Sequence, residues 1–266
     1  MAMNRIVQYH PPRRAPSEID GYYDALCTFK ETFFGGSERK LVAPAIAQVQ
    51  ADLSSGDRLR LLDVGASDCR NTKKILETTP MGLNGFRLVT VDPDQEALAR
   101  TPDEITRWHH FSRRFQDVES CKLPTVDIVL FSHSLYYFED PVEILEQAKD
   151  FIRPGGRIVV AIWDRKCDLR TIAGRLAPNM PAPISGSKLF DSVDRVGSPQ
   201  WYDTWEGEVD FEAWRDSRVV ASAAAEVLSP RKSVLDIPGG ERILKPLDEI
   251  GKSGIRKNAV FTVDTL

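Results

Sequence analysis

Acidic residues and one imidazole recur in this sequence at the same kind of place, just after a short apolar run. Asp63-Val64-Gly65-Ala66-Ser67 closes the run that begins at Leu59. Small side chains there let a ligand approach the backbone, and a helix starting beyond them offers free N–H groups. Asp92 closes the run Arg87 to Val91, where a carboxylate can accept both hydroxyls of a ribose. Asp117, in FQDVE, can accept from an adenine amino group. Ser132 and His133 close the run Val126 to Phe131, and an imidazole titrates near neutral pH, which suits proton transfer. Trp163 and Asp164 close the run that begins at Arg157.

These groups meet only if the runs lie side by side as parallel strands, because ligands of open α/β sheets bind at the carboxyl ends of the strands. The chain has the matching rhythm. Helical stretches at Arg70 to Glu77, Asp94 to Arg100 and Pro141 to Ile152 alternate with the runs, and Trp108 to Phe111 reads as a weak strand. The expected fold class is therefore α/β: a Rossmann-like, doubly wound, mostly parallel sheet with antiparallel C-terminal edge strands at Arg218 to Ala224 and Asn258 to Val263. RPGG is expected to end the helix before the last parallel strand. Ahead of the sheet, Tyr22, Leu26, Phe29 and Phe33 recur at helical spacing. Gly35 and Gly36 stop that helix, and Ser37 caps a second, which carries Leu41, Ile46, Val49 and Leu53 to Gly56. Residues 1–56 are thus expected as an N-terminal extension and helical lid, and 57–266 as the ligand-binding domain, with 165–215 covering the substrate. Ser187 to Phe211, with Trp201, Tyr202 and Trp205, reads as helix or cover loop.

At 266 residues, with 42% hydrophobic content, the chain can bury a full core. Its 35 basic and 39 acidic residues give a net charge of -4, and no basic stripe suited to phosphates occurs, so a small-molecule partner is expected and a nucleic-acid partner is not. No secretory leader and no run of about twenty apolar residues is present, so a soluble, cytoplasmic chain without a membrane partner is expected, as monomer or homodimer. Cys27, Cys69, Cys121 and Cys167 lie far apart, with no CxxC pair and no histidine at ligand spacing. Neither a metal site nor a disulfide framework is expected.

A glycine loop followed by an acid also occurs in dinucleotide-binding enzymes. Here the loop reads GASDCRN instead of GxGxxG, so it lacks the second and third glycines that a pyrophosphate and tight helix packing require. A cofactor bearing an amino acid in place of a pyrophosphate suits it better. The set LLDVGAS, VTVDPD, FQDVE, DIVLFSHSLYYFEDP and FIRPGGRIVVAIW, spanning Leu59 to Trp163, resembles the class I S-adenosylmethionine methyltransferases. The resemblance implies that Asp63, Gly65, Ala66 and Ser67 hold the methionine part of S-adenosyl-L-methionine, that Asp92 with its neighbour Pro93 holds the ribose, and that Asp117 with Val118 reads the adenine.

A narrower resemblance, to histamine N-methyltransferase and its relatives, runs through GYYDALCTF, GGSER, SHSLYYFEDP and RKNAVFTVDTL. It implies an acceptor pocket lined by Tyr23, Phe29, Glu38, His133 and Asn258, with Ser132 touching the cofactor. His133 stands where the histamine enzyme has an amide, so histamine itself is not implied. Tyr136 belongs to the same region, and Trp163 closes the pocket or packs.

These positions also have plain structural readings: a turn at Gly65, a helix cap at Asp92, an acid stabilising the helix dipole at Glu38, and core packing for Tyr23 and Phe29. Because a sulfonium is already activated, transfer needs mainly in-line placement of a nucleophile. A base matters only where the acceptor must lose a proton. His133 is the candidate base, and Glu38 would hold a cationic amine or orient His133. The expected reaction is methyl transfer to a nitrogen of a small amine or heterocycle. O- or C-methylation of a phenolic or indole-like acceptor, a nucleotide-cofactor oxidoreductase and a non-catalytic cofactor-binding module are the alternatives.

Overall fold

The computed structural model describes residues 37–53, 58–105, 107–119, 123–176, 183–210 and 253–265. Among them, seven strands form one sheet: β1 (Leu59–Val64), β2 (Phe86–Val91), β3 (Arg107–Phe111), β4 (Val126–Ser132), β5 (Ile152–Trp163), β6 (Ser198–Asp210) and β7 (Ser253–Asp264). Their order is β3-β2-β1-β4-β5-β7-β6. The first five pair in parallel, and β7 runs antiparallel to β5. The doubly wound, mostly parallel sheet expected from the sequence is the sheet found, with its order reversing between β1 and β4. The described α-helices are α1 (Ser37–Leu53), α2 (Arg70–Thr78), α3 (Gln95–Ala99), α4 (Pro141–Lys149), α5 (Asp168–Leu176) and α6 (Gly186–Phe190).

The central strands read as unbroken apolar runs because both of their faces are covered. On one face Leu59, Leu61, Ile128, Leu130, Val159, Ala161 and Val260 share a core with Leu41, Val42, Ala45, Ile46 and Val49 of α1 and with Ile75 and Leu76 of α2. Alternate positions, among them Leu62, Val129, Phe131, Val160 and Ile162, are buried on the other face. Burial of Ile46 or Val49 is worth roughly 1.5–3 kcal/mol each, so α1 is a layer of the core. Its last turn is pinned by Arg157 Nη1 to Asp52 Oδ2 at 2.8 Å.

Local chemistry sets the helix starts. The Asp94 carboxylate accepts from the Ala97 N–H at 2.9 Å, and Asp140 accepts from Val142 and Glu143 at 2.9 and 3.1 Å. Pro141 follows at the first helical position, where its missing N–H costs nothing.

Two expectations are corrected. RPGG does not end a helix: α4 stops at Lys149, and β5 already begins at Ile152. Ile152 pairs with Val126 and Arg157 with Ile128, so the residues between form a bulge inside the strand, with Gly155 at φ 82°. Gly156 there lies so close to the Asp127 carbonyl that a Cβ would stand 2.5 Å from its oxygen. The other correction concerns Ser187 to Phe211, which is neither helix throughout nor cover loop. It holds the short α6 and then β6, and β6 takes the sheet edge beside β7. The stretch Arg218 to Ala224 and the helix Tyr22 to Phe34 lie outside the described residues.

The sheet belongs to a compact unit of residues 34–167, 184–207 and 255–266. In a second unit the described part is mainly α5, where Leu169 and Ile172 are buried and Arg170 Nε donates to the Pro183 carbonyl at 2.6 Å.

Candidate functional site

The chain leaves β1 at the switch point through a loop of unusual backbone. Gly65 has φ 80°, Ser67 φ 49° and Cys69 φ 59°, three left-handed residues within five. Gly65 N–H donates to the Val91 carbonyl at 2.8 Å, which holds the loop to the end of β2. Ser67 N–H donates to Asp92 Oδ2 at 2.8 Å, and Asp94 N–H donates to Oδ1 of the same carboxylate at 2.8 Å. Asp92 is nearly buried and bridges the loops after β1 and β2. Each carboxylate oxygen thus accepts one of these backbone N–H groups. Pro93 beside it is exposed.

Asp63 is buried at the end of β1 and accepts a short hydrogen bond from the Thr72 hydroxyl of α2. It fixes α2 against the loop. Ala66 is buried, and its carbonyl accepts from Cys69 N–H at 2.9 Å. Asp117 is exposed in the single turn Phe115–Asp117 beyond β3, while Val118 is buried behind it.

Across the switch point, Ser132 ends β4 and its hydroxyl accepts from Asn71 Nδ2 at 3.1 Å. His133 follows at φ 54°, with its N–H donating to the Ala161 carbonyl at 2.9 Å. That turn brings the imidazole onto a buried aromatic cluster. His133 Nδ1 lies 3.1 Å from the Tyr136 hydroxyl, and Tyr136 stacks on Trp163 with centroids 4.3 Å apart. The Tyr136 hydroxyl also accepts the backbone N–H of Trp163 in a short hydrogen bond. Ser134, buried beneath Gly65, has a hydroxyl with no hydrogen-bond partner among the described residues.

Trp163 and Asn258 are opposite each other in the β5–β7 ladder, so their side chains share a face. Both are 1% exposed. Among the described residues, neither Trp163 Nε1 nor either polar atom of the Asn258 amide has a hydrogen-bond partner. A buried polar group without a partner costs about 1–3 kcal/mol, so a cluster of them is suited to a bound polar molecule.

Asp164, next along, does structural work. Its Oδ1 accepts from the hydroxyl and N–H of Ser187, and its own N–H donates to the Lys257 carbonyl at 2.8 Å. Burial works to raise this carboxyl, but the Ser187 hydroxyl and N–H, the Arg165 N–H and the nearby Lys257 charge together hold it below the ordinary value.

Every cofactor position named from the sequence therefore stands at or beside the carboxyl edge, and His133, Tyr136, Trp163 and Asn258 come together at its far end. Glu38 is the second residue of α1. Tyr23 and Phe29 lie outside the described residues. Asn71, Thr72 and Ser134 are supporting residues that sequence reasoning passed over. The first two stand on the α2 face turned toward the strand ends, a signal that helical periodicity carries; Ser134 gave none. Among the described residues, no group of histidine, cysteine and acidic side chains is placed to hold a metal ion. No described helix is long and apolar enough to cross a membrane.

A family model described as a methyltransferase domain matches residues 36–218. No curated protein matches the chain. Among solved structures, the fold is similar to the YcgJ protein from Bacillus subtilis, with TM-score 0.56 and 10% identity over 82% of this chain and 97% of that one. It is also similar to the plantazolicin methyltransferase BpumL in complex with SAH, with TM-score 0.50 and 13% identity over 93% of each chain. A third likeness is to the cyclase SpnF, with TM-score 0.52 and 14% identity over 96% of this chain and 98% of that one. At such identities the likeness is one of fold.

Proposed function

Because the chain belongs to the methyltransferase-domain family, we propose that it transfers a methyl group from S-adenosyl-L-methionine to a nitrogen of a small amine or heterocycle. The observation that carries this reading is the bridge of Asp92 to Ser67 N–H, which sets a ribose-binding carboxylate against a small-residue loop at the switch point. The residues present fit that cofactor. Gly65, Ala66 and Ser67 leave room for a close backbone approach, and the buried Ser134 hydroxyl beside them lacks a partner among the described residues. When bound, S-adenosyl-L-methionine supplies an electrophilic methyl group on a sulfonium.

The rest is done by this chain's side chains. Asp63 holds α2 through Thr72, Asp92 would accept from the ribose hydroxyls, and Asp117 and Val118 would flank the adenine. Ser132, held by Asn71, would meet the methionine end. Tyr136, Trp163 and His133 would wall the acceptor, with Trp163 Nε1 and the Asn258 amide taking its polar edge. An amine or heterocycle nitrogen attacks through a free lone pair, so orientation supplies most of the rate. The LYY turn, Leu135–Tyr137, would present Tyr136 to the acceptor, as the sequence resemblance to histamine N-methyltransferase implies. The proposed partner is thus a small methyl acceptor, with no nucleic acid or membrane involved.

Calorimetry with S-adenosyl-L-methionine tests the cofactor, and release of S-adenosylhomocysteine over a panel of amines and heterocycles tests the reaction. Binding followed by release is expected. Absence of binding overturns the cofactor assignment, and binding without release from any acceptor overturns the enzyme.

A further inference from the structure

The polar atoms of Trp163 and Asn258 define the kind of group that can pair with them. We infer that the two side chains form a neutral recognition pair for a group with a hydrogen-bond acceptor beside a donor, as in a carboxamide, a lactam or the edge of a pyrimidinone. The methyl acceptor then bears such a group in place of a carboxylate or an ammonium. The inference rests on reading this end of the sheet as the acceptor side of a methyl-transfer site.

The β5–β7 ladder places the pair. Asp164 N–H donates to the Lys257 carbonyl at 2.8 Å, and one position away the register sets Trp163 against Asn258. Hydrogen-bonded and non-hydrogen-bonded pairs alternate along an antiparallel ladder, so Trp163 and Asn258 are a non-hydrogen-bonded pair, the kind whose side chains stand closer. Val159, Ala161 and Val260 share the core with α1, and the two-residue alternation puts Trp163 and Asn258 on that same face. Their charged neighbours turn to the opposite face, where Asp164 accepts from Ser187 and Lys257 is ion-paired with Glu206. Tyr136 stacks on Trp163 and fixes the plane in which its Nε1–H points.

The donors and acceptors of the pair then narrow the ligand. Trp163 Nε1 only donates, and the Asn258 amide carries two donor hydrogens and one acceptor oxygen on the same carbon. Among the described residues none of these atoms has a partner, and all three are sealed from solvent, so the site opens as a ligand enters. A carboxylate would satisfy the donors but set its lone pairs against the amide oxygen. An ammonium would satisfy that oxygen but turn its protons toward the N–H groups. A carbonyl beside an N–H does both, because its N–H donates to the amide oxygen while its own oxygen accepts from the amide and the indole. The pair has no formal charge, so it does not offset the desolvation of an ion. Sites that leave buried polar groups unpaired with the wrong analogue discriminate strongly against it.

Nitrogen-15 NMR of tryptophan-labelled protein reads the pair without needing turnover, so its failure is distinct from failure of the methyltransferase reading. The chain has five tryptophans, and the indole N–H signal of Trp163 is the one lost in Trp163→Phe. The probes are matched carboxamides, carboxylates and aminomethyl compounds on benzene, pyridine and indole rings, titrated with and without S-adenosylhomocysteine. Carboxamides are expected to move the Trp163 signal and to bind about tenfold or more tightly than the carboxylate and the amine on the same ring. Asn258→Leu should remove that preference. A carboxylate or amine bound as tightly as its carboxamide, a Trp163 signal that no carboxamide moves, or an unchanged preference in Asn258→Leu overturns the proposal. The order of affinities in the wild-type protein decides alone if either variant does not fold.

Discussion

Gly65 and Ser134 approach so closely that a Cβ built on the glycine would stand 2.5 Å from the serine Cβ. They belong to the loops after β1 and β4, where the strand order reverses, so this contact forms the floor of the crevice. Gly65→Ala must hold φ 80° with a side chain and also displace Ser134. The backbone part alone costs about 1–3 kcal/mol. The expected result is a lower thermal midpoint and cofactor affinity at least tenfold weaker by calorimetry. Adding Ser134→Gly should recover the steric part and leave the backbone part. Wild-type affinity in Gly65→Ala would remove the loop from the cofactor site.

Asp92 connects two loops with one carboxylate, and its substitution separates geometry from charge. Asp92→Ala leaves the N–H groups of Ser67 and Asp94 without their acceptor. Asp92→Asn keeps one acceptor oxygen but turns an amide donor toward the other N–H. Both variants should bind S-adenosyl-L-methionine at least tenfold more weakly, a loss of about 1.4 kcal/mol or more. Equal binding by Asp92→Asn and wild type, measured by calorimetry, would rule out the bridging role.

Stability should depend on acid through Asp164. Its carboxyl sits below the ordinary value because Ser187, Arg165 and Lys257 favour the anion more than burial disfavours it. The unfolded chain, with an ordinary aspartate near pH 3.9, binds this proton first as pH falls. The contribution is therefore complete above about pH 5 and declines as pH drops through the ordinary value toward the folded one. Urea midpoints between pH 7 and pH 3 should fall less steeply in Asp164→Asn than in wild type. Parallel curves would mean that Asp164 does not titrate differently on folding.

The parts of this protein that were legible in the sequence are those where burial leaves a local trace. β1, β2 and β4 carry apolar runs because they are covered on both sides, and Asp63, Asp92 and His133 stand out because each interrupts such a run at its end. β6 was not legible for the opposite reason. It is an edge strand in which Trp201, Asp203, Thr204 and Glu206 are exposed, so its pattern is diluted. Pro154-Gly155-Gly156 has the chemistry of a turn, yet tertiary pairing makes it a bulge, with Arg153 ion-paired to the buried Asp127. Ser134 and the Tyr136 hydroxyl act on Gly65 and Trp163 across long stretches of chain, and no spacing rule reveals such contacts.

Asn258 offers the sharpest separation of folding from function. Its amide is buried opposite Trp163 with neither polar atom partnered among the described residues, so it costs stability where it stands. Asn258→Leu has nearly the same volume and no polar atom to desolvate. It should be neutral or stabilising for the fold, by up to about 1–3 kcal/mol. If the amide holds the acceptor, the same change should raise the KM for that acceptor about tenfold or more while leaving cofactor affinity unaltered. Denaturation, calorimetry and steady-state kinetics on one variant read the three quantities. A destabilised protein would mean that the amide has a structural partner after all. An unchanged KM would place the acceptor elsewhere, because a polar group maintained against its own desolvation cost would then be contributing to neither folding nor binding.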